Sequence, residues 1–456
     1  MTPEAAQGRW RASEVVLLLY VLALFTVSGD PVWTQLENAF GYLLVIVVGG
    51  SVLADSRWTL TWPREFALVL VFVAWGVLAT LAATGSGVES RFLTAQMIRL
   101  WTFLQVVVLG FLTLQVLARS GRFRSIELGF HGGIMLTLLL LTIAVASGEL
   151  TGRFGSGLGQ ANDLGLALGV ASALCTVQIM RSVSRSSLEG GYPGLHVMGL
   201  VLLQLATVLL NLVATGSRQG VLTSGAALLA TLAYLGWHLV RRQSRRAFWG
   251  SVCAMAVAAA VAPRVAESPL VARLQNVVRF VTGRELVSPE RSLADRWSLV
   301  QEGFALWQVR PVTGWGFDAF QFVSPRRTYT HSNPVEILAN TGMVGVILFY
   351  GVLGFIAVRG WRALRRGSVP GWAAGGALFL AGILALNGVG AVTYYNKTHW
   401  LLFGYTLALL VPARSAPEVA TGVRADGAPE PGQSLSPMAT EAECSDGAWT
   451  PVSSDS

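Results

Sequence analysis

The sequence has very little charge and almost no lysine. Charged residues make up 13% of the 456 residues, and the 33 cationic side chains are all arginine except Lys397. A soluble domain carries roughly twice that proportion of charge. The composition therefore argues against a soluble enzyme. The net charge of +8 does not indicate a nucleic-acid partner, because membrane topology accounts for most of the arginines.

Several motifs that bind cofactors are also missing. No Gly-Lys pair occurs, which excludes a phosphate-binding P-loop, and there is no HExxH, CxxC or paired-carboxylate metal motif. The three cysteines predict neither a disulfide nor a metal site, because Cys175 and Cys253 lie in apolar runs and Cys444 lies near the C-terminus. We expect no cofactor, and we expect arginine rather than a metal to hold a charged substrate.

Long apolar runs dominate the chain, in which 53% of the residues are hydrophobic. Many runs approach the roughly 20 residues that cross a bilayer as a helix. The first run lacks a small-residue cleavage site and is interpreted as a span rather than a signal peptide. The pattern predicts an all-α polytopic membrane protein with about twelve transmembrane helices, near 14–29, 36–54, 65–83, 96–118, 127–147, 160–180, 194–215, 217–240, 246–263, 334–358, 370–391 and 399–412.

Arginine predicts the orientation of these helices. If the N-terminus is cytoplasmic, every inner loop carries arginine, whereas the short outer loops and adjacent helix ends hold only Arg91, Arg99, Arg153, Arg218 and Lys397. Both termini are then cytoplasmic, and the long loop is periplasmic or extracellular. The expected organisation is helices 1–9 in 1–263, the large loop in 264–333, helices 10–12 in 334–412 and a disordered cytoplasmic tail in 413–456.

The large loop has helical segments of its own. Ser268 and Pro269 provide a helix start. A second helix carries Leu293, Trp297, Val300, Phe304 and Trp307 on one stripe. We expect both helices to lie on the membrane surface or to pack over the bundle. The tail is rich in proline, serine, alanine, glycine and acidic residues, which is typical of disorder.

Arginines on the outer side are the first candidates for substrate binding. Arg218 lies in Gly216-Ser217-Arg218-Gln219-Gly220 at the outer junction of two spans, where a charge is costly unless it is paired or functional. Arg291 and Arg296 lie on the second loop helix and suit a phosphate, because guanidinium binds phosphate oxygens in pairs. The alternatives are lipid contact for Arg218 and an Asp295 ion pair for Arg291. Arg326 and Arg327 are further candidates or solvated charges.

A histidine beside these arginines is the candidate base. His331 is followed on the outer side by Asn333 and Glu336, which are candidate substrate contacts. A neutral imidazole takes up a proton near pH 7. The alternative is a capping or packing histidine. His399 is a second-rank candidate. Another outer cluster holds Arg153, Asn162 and Asp163, although either of the latter two can simply cap a helix.

At these residues the chain resembles the bacterial O-antigen ligase and Wzy-type polysaccharide polymerase superfamily. The resemblance rests on Arg-x4-Arg-Trp from Arg291, on Arg310-Pro311-Val312-Thr313-Gly314-Trp315-Gly316-Phe317 and on His331-Ser332-Asn333-Pro334-x-Glu336-x-Leu338-Ala339-x2-Gly342-x2-Gly345. Supporting matches are Ser217-Arg218-Gln219-Gly220 and the Arg153 to Asn162 segment. Ser332 and Pro334 replace residues that are commoner in the family. The resemblance spans roughly residues 150–410.

The resemblance implies a metal-independent, inverting glycosyltransferase with a GT-C-like fold in the bacterial inner membrane. Such an enzyme transfers a glycan from undecaprenyl diphosphate on the periplasmic face, either to a lipid A-core sugar or to another lipid-linked repeat unit. Arg218 and Arg291 would stabilise the departing diphosphate, and His331 would activate the acceptor hydroxyl. The implied partners are the lipid-linked donor, a glycan or lipid A-core acceptor and the bilayer, with no nucleic acid.

Other functions stay open at this point. A twelve-span secondary transporter or lipid-glycan flippase is the main alternative, although such proteins place polar groups near the bilayer midplane and here the charged groups cluster on one face. A membrane scaffold is a third interpretation, which leaves Arg218 and the His331 segment unexplained. Between ligase and polymerase, the His-Ser-Asn-x2-Glu-x-Leu-Ala form slightly favours a polymerase of exopolysaccharide or capsule synthesis.

Overall fold

The structure is a computed structural model that describes residues 11–26, 31–55, 59–84, 90–147, 161–188, 195–211, 217–242, 279 and 291–412. The only regular secondary structure in these residues is helical, without a strand, which confirms the predicted all-α class. The helices are α1 (Ala12–Phe25), α2 (Pro31–Ala54), α3 (Arg64–Thr84), α4 (Ser90–Ser120), α5 (Arg124–Ala146), α6 (Ala161–Leu188), α7 (Leu195–Leu210), α8 (Arg218–Arg242), α9 (Arg291–Val309), α10 (Phe320–Val323), α11 (Asn333–Arg366), α12 (Gly371–Asn387) and α13 (Lys397–Leu409).

Many of these helices suit a bilayer. Six are long and apolar enough to cross a membrane, and α1, α7 and α12 are shorter apolar helices, among the residues that the structure describes. Each predicted span overlaps a helix except 246–263, which lies outside the described residues. The number of spans therefore stays a prediction. The first loop helix, after Ser268, and the predicted tail also lie outside the described residues.

Helices α6 and α13 form the centre of the bundle. In the apolar stretch of α6, 94% of the residues are buried. The helix contacts α7, α8 and α12. α13 lies between α4 and α12 and is buried from Thr398 to Leu409. α3 packs on α11, and α1 packs on α2 and α5. Both helices are therefore enclosed by their neighbours.

Small and polar residues bring α6 and α8 together. A Cβ at Gly220 would lie 2.5 Å from the carbonyl oxygen of Gly165, so this glycine allows close backbone contact. Thr176 donates to the carbonyl of Ala227 at 3.1 Å, and Gln204 of α7 donates to Thr176 at 3.0 Å. Small residues and interhelical hydrogen bonds are the usual means of helix association inside a membrane.

Ion pairs join helix ends that the arginine pattern assigns to the same side. Arg359 contacts Glu65 at 3.1 Å, Arg181 contacts Glu127 at 2.7 Å, and Arg119 contacts Asp55 at 2.6 Å. On the side predicted to be outer, Lys397 contacts Glu37 at 2.6 Å. This pairing agrees with the predicted sidedness, while the compartment on each side stays a prediction.

Helix α9 packs through a different face from the predicted stripe. Leu299 and Gly303 are buried against the bundle, whereas Trp297 and Phe304 are 48% and 42% exposed. A Cβ at Gly303 would lie 2.5 Å from Val335, so the glycine allows close approach to α11. Counting apolar side chains overlooks this face because its central residue has no side chain. α9 thus contacts α11, as one of the two predicted placements requires.

Candidate functional site

A break in α11 positions the segment that contains His331. Gly342 has φ 69° and ψ −170°, which interrupts the helix after its first turns. The loop from Pro311 to Gly316 fills the gap: Trp315 and Gly316 donate to the carbonyls of Ala339 and Asn340 at 3.0 and 2.8 Å. Met343 donates to the carbonyl of Pro311 at 2.9 Å. The interrupted backbone is thus paired inside the protein, as a membrane span requires.

Glycine is required at this junction. A Cβ at Gly342 would overlap the carbonyl of Val312, and a Cβ at Gly314 would lie 2.5 Å from the backbone of Asn340. Both glycines have positive φ. The two motifs of the sequence, one ending at Phe317 and one beginning at His331, are therefore parts of one interlocked unit.

Phe317 anchors the loop in the bundle. Its ring lies 5.1 Å from that of Phe103 and 5.6 Å from that of Tyr394, in centroid distance. Its backbone N–H donates to the hydroxyl of Thr80 at 2.8 Å. α3, α4 and the segment before α13 thus fix the loop on which the α11 break depends.

His331 lies immediately before the first turn of α11 and is half-buried. Its ring packs against that of Tyr329 with centroids 4.3 Å apart. Burial, together with the positive charge of Arg296, lowers the pKa of His331 from 6.5 to about 4. The imidazole is therefore neutral near pH 7 and has a lone pair available to accept a proton.

Several of the predicted residues lie close enough to Tyr329 to affect its pKa. Burial raises the pKa of its hydroxyl, the negative charges of Asp163 and Glu336 raise it further, and Arg296 lowers it. These side chains come from α6, α11 and α9, so three distant stretches of sequence meet here. Tyr329 is 43% exposed, and the sequence analysis did not single it out.

Glu336 is completely buried and holds the backbone beside His331. Its carboxylate accepts the N–H of Thr330 at 2.7 Å and the side-chain amide of Asn340 at 3.2 Å. Its own N–H donates to the carbonyl of Ser332 at 2.8 Å. The residues on both sides of His331 are thereby tied to α11.

Asn333 is also buried, and it binds the loop between α12 and α13. Its side-chain oxygen accepts the N–H groups of Thr393 and Tyr394 at 3.1 and 3.3 Å. Its side-chain nitrogen donates to the hydroxyl of Tyr350 at 3.4 Å, and its backbone N–H donates to Gly388 at 2.8 Å. These contacts attach the His331 segment to the last two helices.

Arg218 is the first residue of α8 and is half-buried. Ser217 precedes it and accepts the N–H of Gly220 at 3.3 Å, as a helix N-cap does. Gln219 donates to the carbonyl of Leu386 at 2.8 Å, which ties this helix start to the end of α12. Arg218 therefore sits on a well-anchored turn.

The other predicted residues are distributed more widely. Arg326 is exposed and lies 3.8 Å from the carboxylate of Asp295, so Asp295 pairs with it. Arg327 and Asn162 are exposed. The structure describes the backbone of Arg291 as the start of α9 but not its side chain, and Arg153 lies outside the described residues.

His399 is separate from His331 and lies in the apolar interior. It is 4% exposed, and its ring stacks on Phe349 with centroids 6.2 Å apart. It lines a small apolar cavity between α3, α11 and α13 with Phe72, Trp400 and neighbouring side chains. Nδ1 of His399 has no hydrogen-bond partner among the described residues.

Asp318 is a buried acid that the sequence analysis missed. Burial raises its pKa from 3.8 to about 6, and hydrogen bonds from Tyr395 and Gln321 and the charge of Arg99 oppose that rise. Arg99 of α4 lies 3.4 Å from the carboxylate. The only available signal was an acid directly after Gly316-Phe317, because its partners are remote in sequence. Within the described chain, no group of three or more His, Cys, Asp or Glu residues could hold a metal ion.

The helices of this chain and their apolar composition indicate a multi-pass helical membrane protein. Residues 203–350, from within α7 to within α11, match the Wzy_C family model, described as O-antigen ligase. This match supports the O-antigen ligase and polymerase superfamily and confirms the resemblance given by the motifs. No curated protein sequence matches the chain. The matched region includes Arg218, Arg296 and His331.

Proposed function

We propose that this protein is a glycosyltransferase that moves a glycan from undecaprenyl diphosphate to a sugar hydroxyl in the synthesis of a cell-surface polysaccharide. The observation that carries the proposal is the half-buried His331, close enough to Arg296 for its charge to lower the histidine pKa, within the region that matches the O-antigen ligase model. A base next to a guanidinium suits a reaction that removes a proton while a phosphate departs. The reaction takes place on the periplasmic side of the bacterial inner membrane, with both termini in the cytoplasm.

The chemistry is an inverting displacement. The acceptor oxygen forms a bond to the anomeric carbon as the bond from that carbon to the diphosphate oxygen breaks, through an oxocarbenium-like state. His331 takes the hydroxyl proton, and such a base typically contributes about 10²–10⁴-fold in rate. The electron pair leaves on the diphosphate, whose charge Arg218 and Arg291 stabilise. One preorganised contact of this kind is worth about 3 kcal/mol, and the reaction as proposed uses no metal or other cofactor.

The remaining predicted residues receive supporting roles. The charge of Asp163 raises the pKa of Tyr329, whose ring packs on His331, and this supports a role for Asp163 near the proposed base. Asn333 and Glu336 act through the backbone contacts that they make rather than by touching the sugar. The proposed substrate contacts are Arg296, Arg153, Asn162, Asp163, Arg326 and Arg327, with His399 as a more remote candidate.

A transporter or lipid-glycan flippase is the second candidate. The break at Gly342 inside a candidate membrane span favours it, because discontinuous helices form the substrate sites of many transporters. Here, however, a protein loop fills the break and satisfies the carbonyls of Ala339 and Asn340. That arrangement favours a fixed scaffold for one-sided chemistry over alternating access.

Product analysis on the purified protein tests the proposal. The protein in detergent and EDTA receives an undecaprenyl-diphosphate-linked repeat unit, alone or with a lipid A-core acceptor, and the products are separated by size. A ladder from the donor alone indicates a polymerase, the outcome we slightly favour. A product that requires lipid A-core indicates a ligase. If neither forms while the donor crosses a liposome bilayer, the glycosyltransferase proposal is wrong and the transporter is supported.

A further inference from the structure

A buried hydrogen-bond network extends from the His331 segment to the far side of the Phe317 loop. Asn340 donates to Glu336 at 3.2 Å and to the hydroxyl of Tyr394 at 3.3 Å. Tyr394 donates to Tyr395 at 3.1 Å, and Tyr395 bonds to the carboxylate of Asp318. The side chains of Glu336, Asn340, Tyr394 and Asp318 are at most 4% exposed.

The donors in this network have a definite direction. A side-chain amide has two N–H donors, and the structure uses the amide of Asn340 towards Glu336 and towards Tyr394. The Tyr394 hydroxyl then donates to the Tyr395 hydroxyl, which donates to the carboxylate of Asp318. Each end of the network is a carboxyl group, which in its ionised form can accept hydrogen bonds but cannot donate them. Burying two carboxylates is costly unless both are hydrogen-bonded, so this arrangement is a specific structure rather than incidental packing.

The Glu336 end controls the backbone at His331. His331 has φ 59°, a left-handed conformation that residues other than glycine adopt rarely. Thr330 donates its N–H to Glu336 at 2.7 Å, and its hydroxyl donates to the carbonyl of Ser332 at 2.9 Å. Both neighbours of His331 are therefore held, directly or through Thr330, by the carboxylate that the network orients.

The Asp318 end joins the network to other parts of the bundle. Asp318 accepts hydrogen bonds from Gln321 of α10, and Arg99 of α4 lies 3.4 Å away. Asn340 also accepts the N–H of Phe320 at 2.7 Å through its side-chain oxygen. The orientation of one α11 amide thus depends on α4, on α10 and on the segment before α13.

We propose that Glu336, Asn340, Tyr394 and Asp318 are positioning residues that hold the His331 imidazole in its reactive orientation. This inference rests on the proposed function for its kinetic consequences, but the geometry of His331 can be tested without any transfer assay. A base displaced from its hydroxyl loses rate rather than substrate affinity, because the loss falls on the transition state.

The test compares Tyr394→Phe with a matched control. The substitution removes one hydroxyl between Asn340 and Tyr395. Tyr20→Phe is the control, because Tyr20 is 1% exposed and its hydroxyl has no hydrogen-bond partner in the described part of the chain. Tyr394→Phe should lower kcat about tenfold with KM within about twofold. Tyr20→Phe should leave both values near those of the wild type.

A second readout is the carbethoxylation of His331 by diethyl pyrocarbonate, followed by mass spectrometry. Tyr394→Phe should change its rate by about threefold or more, whereas Tyr20→Phe should not. An unchanged rate together with unchanged kcat overturns the inference, and so does an equal effect of both substitutions. If the wild type transfers no glycan but Tyr394→Phe alone changes the modification rate, the proposed function fails and the positioning network stands.

Glu336→Gln provides a second variant if Tyr394→Phe does not fold. Its amide oxygen can accept the Thr330 N–H, but its amide nitrogen faces the donor of Asn340, so one bond of the network is lost. The same split between kcat and KM and the same change at His331 are expected. Wild-type values for both would contradict the inference.

Discussion

The protonation of His331 is set by its surroundings. Burial and the charge of Arg296 lower its pKa to about 4, so the imidazole stays unprotonated well below pH 7. Between pH 6.5 and about 4 the unfolded chain binds a proton at this histidine and the folded chain does not. Acidification through this window therefore lowers the free energy of unfolding. Above pH 6.5 the histidine is neutral in both states and this loss is absent.

Removing the positive neighbour should raise the pKa of His331. In Arg296→Gln the repulsion is lost while burial remains, so the pKa should rise yet stay below 6.5. NMR of protein with labelled histidine measures it, and a His331→Gln sample identifies the signal among the five histidines. Arg362→Gln, an exposed site near the end of α11, is the control. A pKa that stays the same or falls would refute the assigned cause.

The residue types of the site were predictable from sequence, but their partners were not. His331 and Arg296 stood out because charged and polar residues are scarce on the outer side. Asp318 did not, because it acts through Tyr395, far along the chain, and such contacts leave no periodic pattern. The sequence also suggested substrate contact for Asn333 and Glu336, whereas the structure engages both in buried hydrogen bonds.

At the scale of single elements, α11 is the helix on which the site depends. Its apolar stretch was predictable, but its break was not, since hydropathy does not record backbone dihedral angles. Gly342 and Gly314 were visible only as members of a motif. Likewise, the helical nature of α9 followed from its pattern, while its packed face followed from Gly303.

Gly342→Ala should disrupt the unit formed by α11 and its loop. Gly342 has φ 69° and ψ −170°, a conformation essentially restricted to glycine that costs a residue with a Cβ about 1–3 kcal/mol, and overlap with the carbonyl of Val312 adds to this. We expect a melting temperature in detergent that is lower by a few degrees or more, with loss of transfer.

Gly354→Ala is the matched control in the same helix, because a Cβ there would have nothing within 4 Å. Its melting temperature should equal that of the wild type or exceed it. Equal losses for both variants would show that the Gly342 junction has no special role.

At the scale of the whole molecule, the sidedness of the bundle is the prediction with the widest consequences. It rests on the arginine pattern and on ion pairs such as Arg359 with Glu65, which join helix ends assigned to the same side. An active site that uses a periplasmic lipid-linked sugar must face the side opposite to Arg359. The motifs themselves carry no information about compartment.

Labelling of single cysteines tests the orientation. In a chain whose native cysteines are replaced by serine, a membrane-impermeant maleimide applied to intact spheroplasts should label Arg327→Cys. It should label Arg362→Cys only after the membrane is opened. Both positions are exposed, so access depends on the side of the membrane. The reverse pattern would place the site in the cytoplasm and contradict the proposed periplasmic reaction.

We propose that His331 is the base of a glycosyl transfer, and the transfer rate of His331→Ala is the decisive measurement for this role. The rate is compared with that of His196→Ala, which alters an exposed histidine at the start of α7, at matched amounts of folded protein. We predict a loss of about 10²–10⁴-fold for His331→Ala and a rate near that of the wild type for His196→Ala. A His331→Ala protein that transfers glycan at the wild-type rate would rule out this role for His331.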